Sequence, residues 1–148
     1  MPDLKERLVE DMKKAMREKS KKELSVIRMV RAAIKNKEIN NQKELNNQEV
    51  IEVLSGQVKK IRESIEDFIK GDRTDAVEEA KNEIKILQRY LPEQMGENEI
   101  NNLVDEIIEE VEATDMSDMG KVMKTIMPRV KGRADGSEVN RIVREKLQ

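Results

Sequence analysis

Five cations crowd one stretch of the chain, "MGKVMKTIMPRVKGRADGSEVNRIVREKL" (119–147): Lys121, Lys124, Arg129, Lys131 and Arg133, with no carboxylate among them until Asp135. Ammonium and guanidinium groups in such a run suit phosphate, Lys as a compact charge and Arg as a planar fork. Lys121 and Lys124 are three apart, so a helix carries both on one face while Val122, Met123 and Ile126 turn inward. Gly132 permits a sharp turn or a close approach to a ligand, and Gly136 stands where a new helix should begin. The free N–H groups at that helix start make an anion site, with Asn140 and Arg141 one turn further along. No aromatic side chain is at hand for stacking, so the expected ligand is the backbone and shape of a structured RNA rather than its bases. Charge alone also allows a plainer alternative, in which these cations complement acidic residues of the same chain.

Other chemistries are poorly supplied. The chain has no cysteine and no histidine, which excludes a disulfide framework, the usual N/S zinc site, a thiol nucleophile and a Ser-His-Asp triad. "GKVMK" lacks the spacing and the preceding strand of a phosphate-binding loop. Met116, Met119, Met123 and Met127 recur at helical spacing among other apolar residues, which reads as core rather than a soft-metal groove. Asp105, Glu106, Glu109, Glu110 and Glu112 read as a solvated helix face rather than a hard-metal site. Neither a cofactor nor a metal is expected, and the leading expectation is a non-catalytic binding module.

Charge is unevenly distributed. Residues 1–37 hold 12 Lys+Arg against 6 Asp+Glu, residues 38–118 hold 9 against 22, and residues 119–148 hold 8 against 3. Basic ends suggest a polyanion partner, and the acidic middle could take a protein partner. The net charge of −2 is therefore no argument against nucleic acid. "MPDLKERLVEDM" has no apolar leader, and no apolar run approaches the roughly 20 residues of a membrane span. A cytoplasmic protein with no membrane contact is the expectation.

The elements that must position these residues are helices. Charged residues make up 41% of the 148 and aromatics 1%, against about 25% charged in an ordinary domain, so the core must come from Leu, Ile, Val, Met and Ala. Asp3 and Glu6 form a capping-box pattern before the stripe Leu4, Leu8, Met12 and Met16. Ser20 and Glu23 repeat it before Leu24, Ile27, Val30 and Ile34. "NKEINNQKELNNQ" reads as a turn, and Asn47 as the cap of a third helix carrying Val50, Ile51, Leu54, Val58, Ile61, Ile65 and Phe68. "KGDRTD" breaks it. Thr74 or Asp72 starts a fourth helix with Val77, Ala80, Ile84, Leu87 and Leu91, which Pro92 ends.

"PEQMGE" separates a bundle over 1–92 from a unit over 97–148. The second unit reads as three shorter helices carrying Ile100, Leu103, Val104, Ile107, Ile108 and Val111; then Met119, Val122, Met123 and Ile126 up to a kink or end at Pro128; then, from a capping box of Asp135 and Glu138, Val139, Ile142, Val143 and Leu147. About fifty residues make a marginal core, so this unit is expected to lean on the helices before it. Without a second apolar stripe left uncovered, a monomer is expected.

"LSVIRMVRAAIKNKEI" (24–39), "RYLPEQM" (89–95) and "DMGKVMKTIMPRVKGRADGSEVNRIV" (118–143) resemble the YqeY family across essentially the whole chain. That family is similar to the C-terminal tail of the B subunit of the tRNA-dependent amidotransferase. The resemblance implies an N-terminal antiparallel bundle of long helices followed by a small helical domain. It implies a tRNA-binding module, because the similar tail helps to hold tRNA, with contacts carried over to Gly120, Lys121, Lys131, Gly132, Arg133 and Asn140. Pro128 departs from that tail. The alternative is a component of glutamine-dependent carbon–nitrogen ligation on charged tRNA; the activating site of the amidotransferase lies outside the tail-like part.

Overall fold

The computed structural model describes residues 3–148. Seven α-helices account for the architecture, and no strand occurs among the described residues: α1 (Leu4–Arg17), α2 (Lys21–Asn41), α3 (Asn47–Lys70), α4 (Thr74–Gln88), α5 (Glu97–Glu110), α6 (Met119–Val130) and α7 (Gly136–Leu147), with a 3-10 turn at Met116–Asp118. The chain divides into two compact units, Met1–Leu91 and Pro92–Gln148.

In the first unit the apolar stripes close on one core. Leu8 comes from α1, Val26, Ile27, Val30 and Ile34 from α2, Val50, Val53, Leu54 and Val58 from α3, and Ile84, Ile86 and Leu87 from α4. Burying a Leu, Ile or Val side chain stabilises by roughly 1.5–3 kcal/mol, and such packing holds helices whose surfaces are as charged as these. Met16 does not belong to the stripe. It is 51% exposed, while its neighbour Ala15 is 1% exposed, because the 3.6-residue period drifts off a strict four-residue row.

The stretch expected to turn is largely helical. α2 continues to Asn41, and the connection is only residues 42–46. Leu45 in that connection is 3% exposed. Its N–H donates to Glu38 Oε2 at 2.9 Å, and Lys5 Nζ reaches the same oxygen at 2.8 Å. The Lys5 ammonium first, then the Leu45 N–H, holds the Glu38 carboxyl below its usual range. Asn46, not Asn47, caps α3: its Oδ1 accepts the Glu49 N–H at 2.9 Å, and Glu49 Oε1 accepts the Asn46 N–H at 3.2 Å. Asn47 Oδ1 instead accepts the Leu4 N–H at 3.0 Å, satisfying a donor at the start of α1.

Other expected caps differ in detail. Ser20 occupies the cap position of α2 without a side-chain bond, and α4 begins at Thr74, one of the two expected starts, with Arg73 in the cap position and no side-chain cap bond. Asp72 takes a left-handed conformation with φ 59° in the break after α3, a conformation Asp tolerates better than most residues.

The second unit assembles Ile100, Val104 and Ile107 of α5, Val122, Ile126 and Val130 of α6, and Val139, Ile142, Val143 and Leu147 of α7. Its core is thus drawn from its own three helices. Pro128 does not end α6, which runs on to Val130. A proline removes one donor and crowds the preceding turn, and here it sits on the exposed side of the helix, where water can serve the freed carbonyl.

Candidate nucleic-acid interface

Lys121 and Lys124 lie on the exposed face of α6, while Val122 and Ile126 on its other face are fully buried. Gly120 opens the same exposed turn, with nothing near its Cα that a side chain would meet. Among the described residues, no carboxylate pairs with Lys124. Lys121 feels Asp118, which is held mainly by the Thr114 N–H; that bond first, with the Lys121 charge a smaller cause, keeps the Asp118 carboxyl below the usual range.

The arginines behave differently. Arg129 Nη2 reaches Glu110 of α5 at 3.3 Å, Arg133 Nη2 reaches Glu99 at 3.8 Å, and Arg141 reaches Glu97 at 3.6 Å and Glu145 at 3.1 Å. The internal charge pairing left open by the sequence thus holds for these three, with α5 supplying most of the acid. All are half-exposed pairs, which water screens and which add little to stability. They tie α5 to its neighbours weakly and leave the guanidinium groups within reach of solvent. Asn140 Oδ1 accepts from Arg144 one turn along α7 at 3.2 Å.

The loop itself is strapped down from the other end of the unit. Gln94 Nε2 donates to the Gly132 carbonyl at 2.8 Å, the Met95 N–H donates to the Arg133 carbonyl at 2.9 Å, and Arg133 Nε donates to the Glu93 carbonyl at 3.0 Å. "PEQM" and "KGRA" are therefore each other's hydrogen-bond partners. Gly132 is buried with φ 76°, in the left-handed region that favours glycine, so its demand is met by this junction. Sequence reasoning missed Glu93, Gln94 and Met95; no periodic signal marks an extended strap.

The start of α7 is partly occupied by its own cap. Asp135 Oδ1 accepts the Ser137 N–H at 3.0 Å and the Ser137 hydroxyl at 2.9 Å, and its carbonyl accepts the Glu138 and Val139 N–H groups. The N–H groups of Ser137 and Glu138, which would have met phosphate, are taken, and a carboxylate sits among them. Lys131 is exposed. No group of three or more acidic side chains able to hold a metal occurs among the described residues, and no helix there is long and apolar enough to cross a membrane.

The family model described as Yqey-like protein matches residues 5–147. The chain belongs to the YqeY family. Among curated relatives, the Altered inheritance of mitochondria protein 41, mitochondrial, of Pyrenophora tritici-repentis is 36% identical over 134 residues, 89% of this chain and 74% of that protein. The protein of the same name from Kluyveromyces lactis is 40% identical over 84 residues, 56% of this chain and only 45% of its own length. A glutamyl-tRNA(Gln) amidotransferase subunit from Thermococcus gammatolerans is 34% identical over 58 residues, 36% of this chain and 9% of that protein. Both fungal YqeY relatives are mitochondrial by name, which overturns the cytoplasmic expectation. That expectation rested on the lack of an apolar leader, a feature that bears on secretion and says little about organelles.

Proposed function

We propose that this YqeY-family chain is a non-catalytic RNA-binding module whose C-terminal unit contacts tRNA or another structured RNA. The observation that carries the reading is the Lys121–Lys124 face of α6: two exposed cations, one turn apart, on a unit whose arginines are largely engaged with α5. Lys131 extends that face into the loop. Arg129, Arg133 and Arg141 are a reserve, since phosphate can compete for a guanidinium held only by an exposed carboxylate. Gly120 and Asn140 shape the surface without adding charge, and the buried Gly132 sets the turn of the loop. The likeness to an amidotransferase subunit named for glutamyl-tRNA(Gln) supports tRNA as the RNA, while its 9% share of that protein lends nothing to amidation by this chain. The names of the fungal relatives support a mitochondrial setting for the activity.

The test is a Lys121→Glu, Lys124→Glu variant titrated against bulk tRNA over a salt series. Two phosphate contacts contribute about 1.4–1.8 to the slope of log affinity against log salt. The variant should lose that part of the slope and bind at least tenfold more weakly, with its melting changed by less than about 0.5 kcal/mol per site. Unaltered affinity and slope, or a large drop in melting temperature with intact binding, would sink the assignment.

A further inference from the structure

The first unit carries a second basic surface, apart from the α6 face. Arg28, Arg31 and Lys35 follow one another at i, i+3 and i+7 on α2, and all three are exposed. With Lys5 and Val9 of α1 they line a groove of about 450 Å³, within the range that ligand sites occupy. Its one carboxylate, Glu38, already accepts from Lys5 Nζ and the Leu45 N–H. Lys5 and Glu38 therefore cancel, and the groove keeps the three charges of α2. Among the described residues none of those three forms an ion pair with a carboxylate; Arg31 Nη1 reaches only the Met12 sulfur, at 3.1 Å.

We infer that this groove between α1 and α2 binds the phosphate backbone of an RNA strand, as a second anchor in addition to α6. The inference rests on the RNA-binding function proposed for the C-terminal unit. At a rise of 1.5 Å per residue the three cations span roughly 10 Å. A duplex strand presents a phosphate about every 3.4 Å of axis, so about three phosphates pass over that length. The occupant is not an amphipathic acidic helix, because the groove offers such a helix little apolar surface. Leu8 and Ile34, its largest apolar lining residues, are 1% and 4% exposed, and a docking helix gains its energy from burying such groups. Two of the three cations are arginines, whose forks match phosphate oxygens in pairs.

The experiment compares wild type, a variant with Arg28→Gln, Arg31→Gln and Lys35→Gln, and the Lys121→Glu, Lys124→Glu variant of α6. Each is titrated with bulk tRNA over a salt series and checked by circular dichroism. The α2 variant should keep its helicity, bind at least tenfold more weakly and show a slope shallower by about 2.1–2.7. Wild-type affinity in the α2 variant, with affinity lost only in the α6 variant, overturns the inference and leaves the RNA-binding function standing. If wild type binds no tRNA, that function falls by itself. Inorganic tripolyphosphate followed by amide NMR then decides for the groove: shifts at residues 28, 31 and 35 support a phosphate site, and their absence overturns it. Polyglutamate displacing tripolyphosphate at equal or lower concentration also overturns it, in favour of an acidic protein.

Discussion

Tyr90 illustrates how one polar side chain can be buried in so charged a protein. It is 6% exposed, and its hydroxyl donates to Asp11 Oδ2 while Arg7 stacks 4.7 Å from the ring centroid. Burial first, and then the hydrogen bond to Asp11, raises the tyrosine pKa above its ordinary value of 10.0. A raised acid contributes its full stability below that ordinary value and loses it as pH climbs beyond. Tyr90→Phe should therefore cost about 1–2 kcal/mol near neutral pH, since the hydrogen bond has a charged acceptor. Its stability should also decline less steeply than wild type above pH 10. Chemical denaturation at pH 7 and at several points above 10 checks both; equal slopes in the alkaline range would contradict the account.

Among the elements, α3 has the most complete start. The reciprocal bonds of Asn46 and Glu49 are joined by Lys43, whose Nζ lies 2.9 Å from Glu49 Oε2. Asn46→Ala should cost about 1 kcal/mol in urea unfolding. Asn47→Ala removes a different bond, the one to the Leu4 N–H, so it should expose the first turn of α1 to hydrogen exchange while leaving α3 protected. Were both variants to fray α3 alone, Asn47 would be a cap after all. The sequence pointed to Asn47 as the cap, and the cap is its neighbour Asn46. Both have the right chemistry, and the choice depends on where α1 ends up.

For the whole molecule, the two units invite a test of independence. The unit Pro92–Gln148 has ten buried apolar residues on three helices, and its loop is closed by its own strap. We expect residues 92–148 alone to melt cooperatively as a helical domain, though with only a few kcal/mol of stability at this size. Circular dichroism on that fragment is the check, and a gradual, non-cooperative loss of helicity would count against it. The expectation that this unit leans on earlier helices arose from its length alone, and the same melt tests it.

What the sequence by itself determined is the all-helical class, the family and most of the buried face of each helix. Those depend on local periodicity and composition: Val122 and Ile126, or Val139, Ile142 and Val143, must share a face in any helix. It went astray where composition and local geometry pull apart. Residues 36–41 are rich in asparagine yet helical, because Glu38 is held by Lys5 and Leu45, and Leu45 anchors the real turn. The fate of the basic residues was decided only by the tertiary structure. Nothing in the spacing of Arg129, Arg133 and Arg141 distinguishes them from Lys121 and Lys124. The former meet carboxylates of α5 and α7, and the latter are exposed and, among the described residues, make no such ion pair. Charge is a property of the residue, but its neutralisation is a property of its neighbours in space.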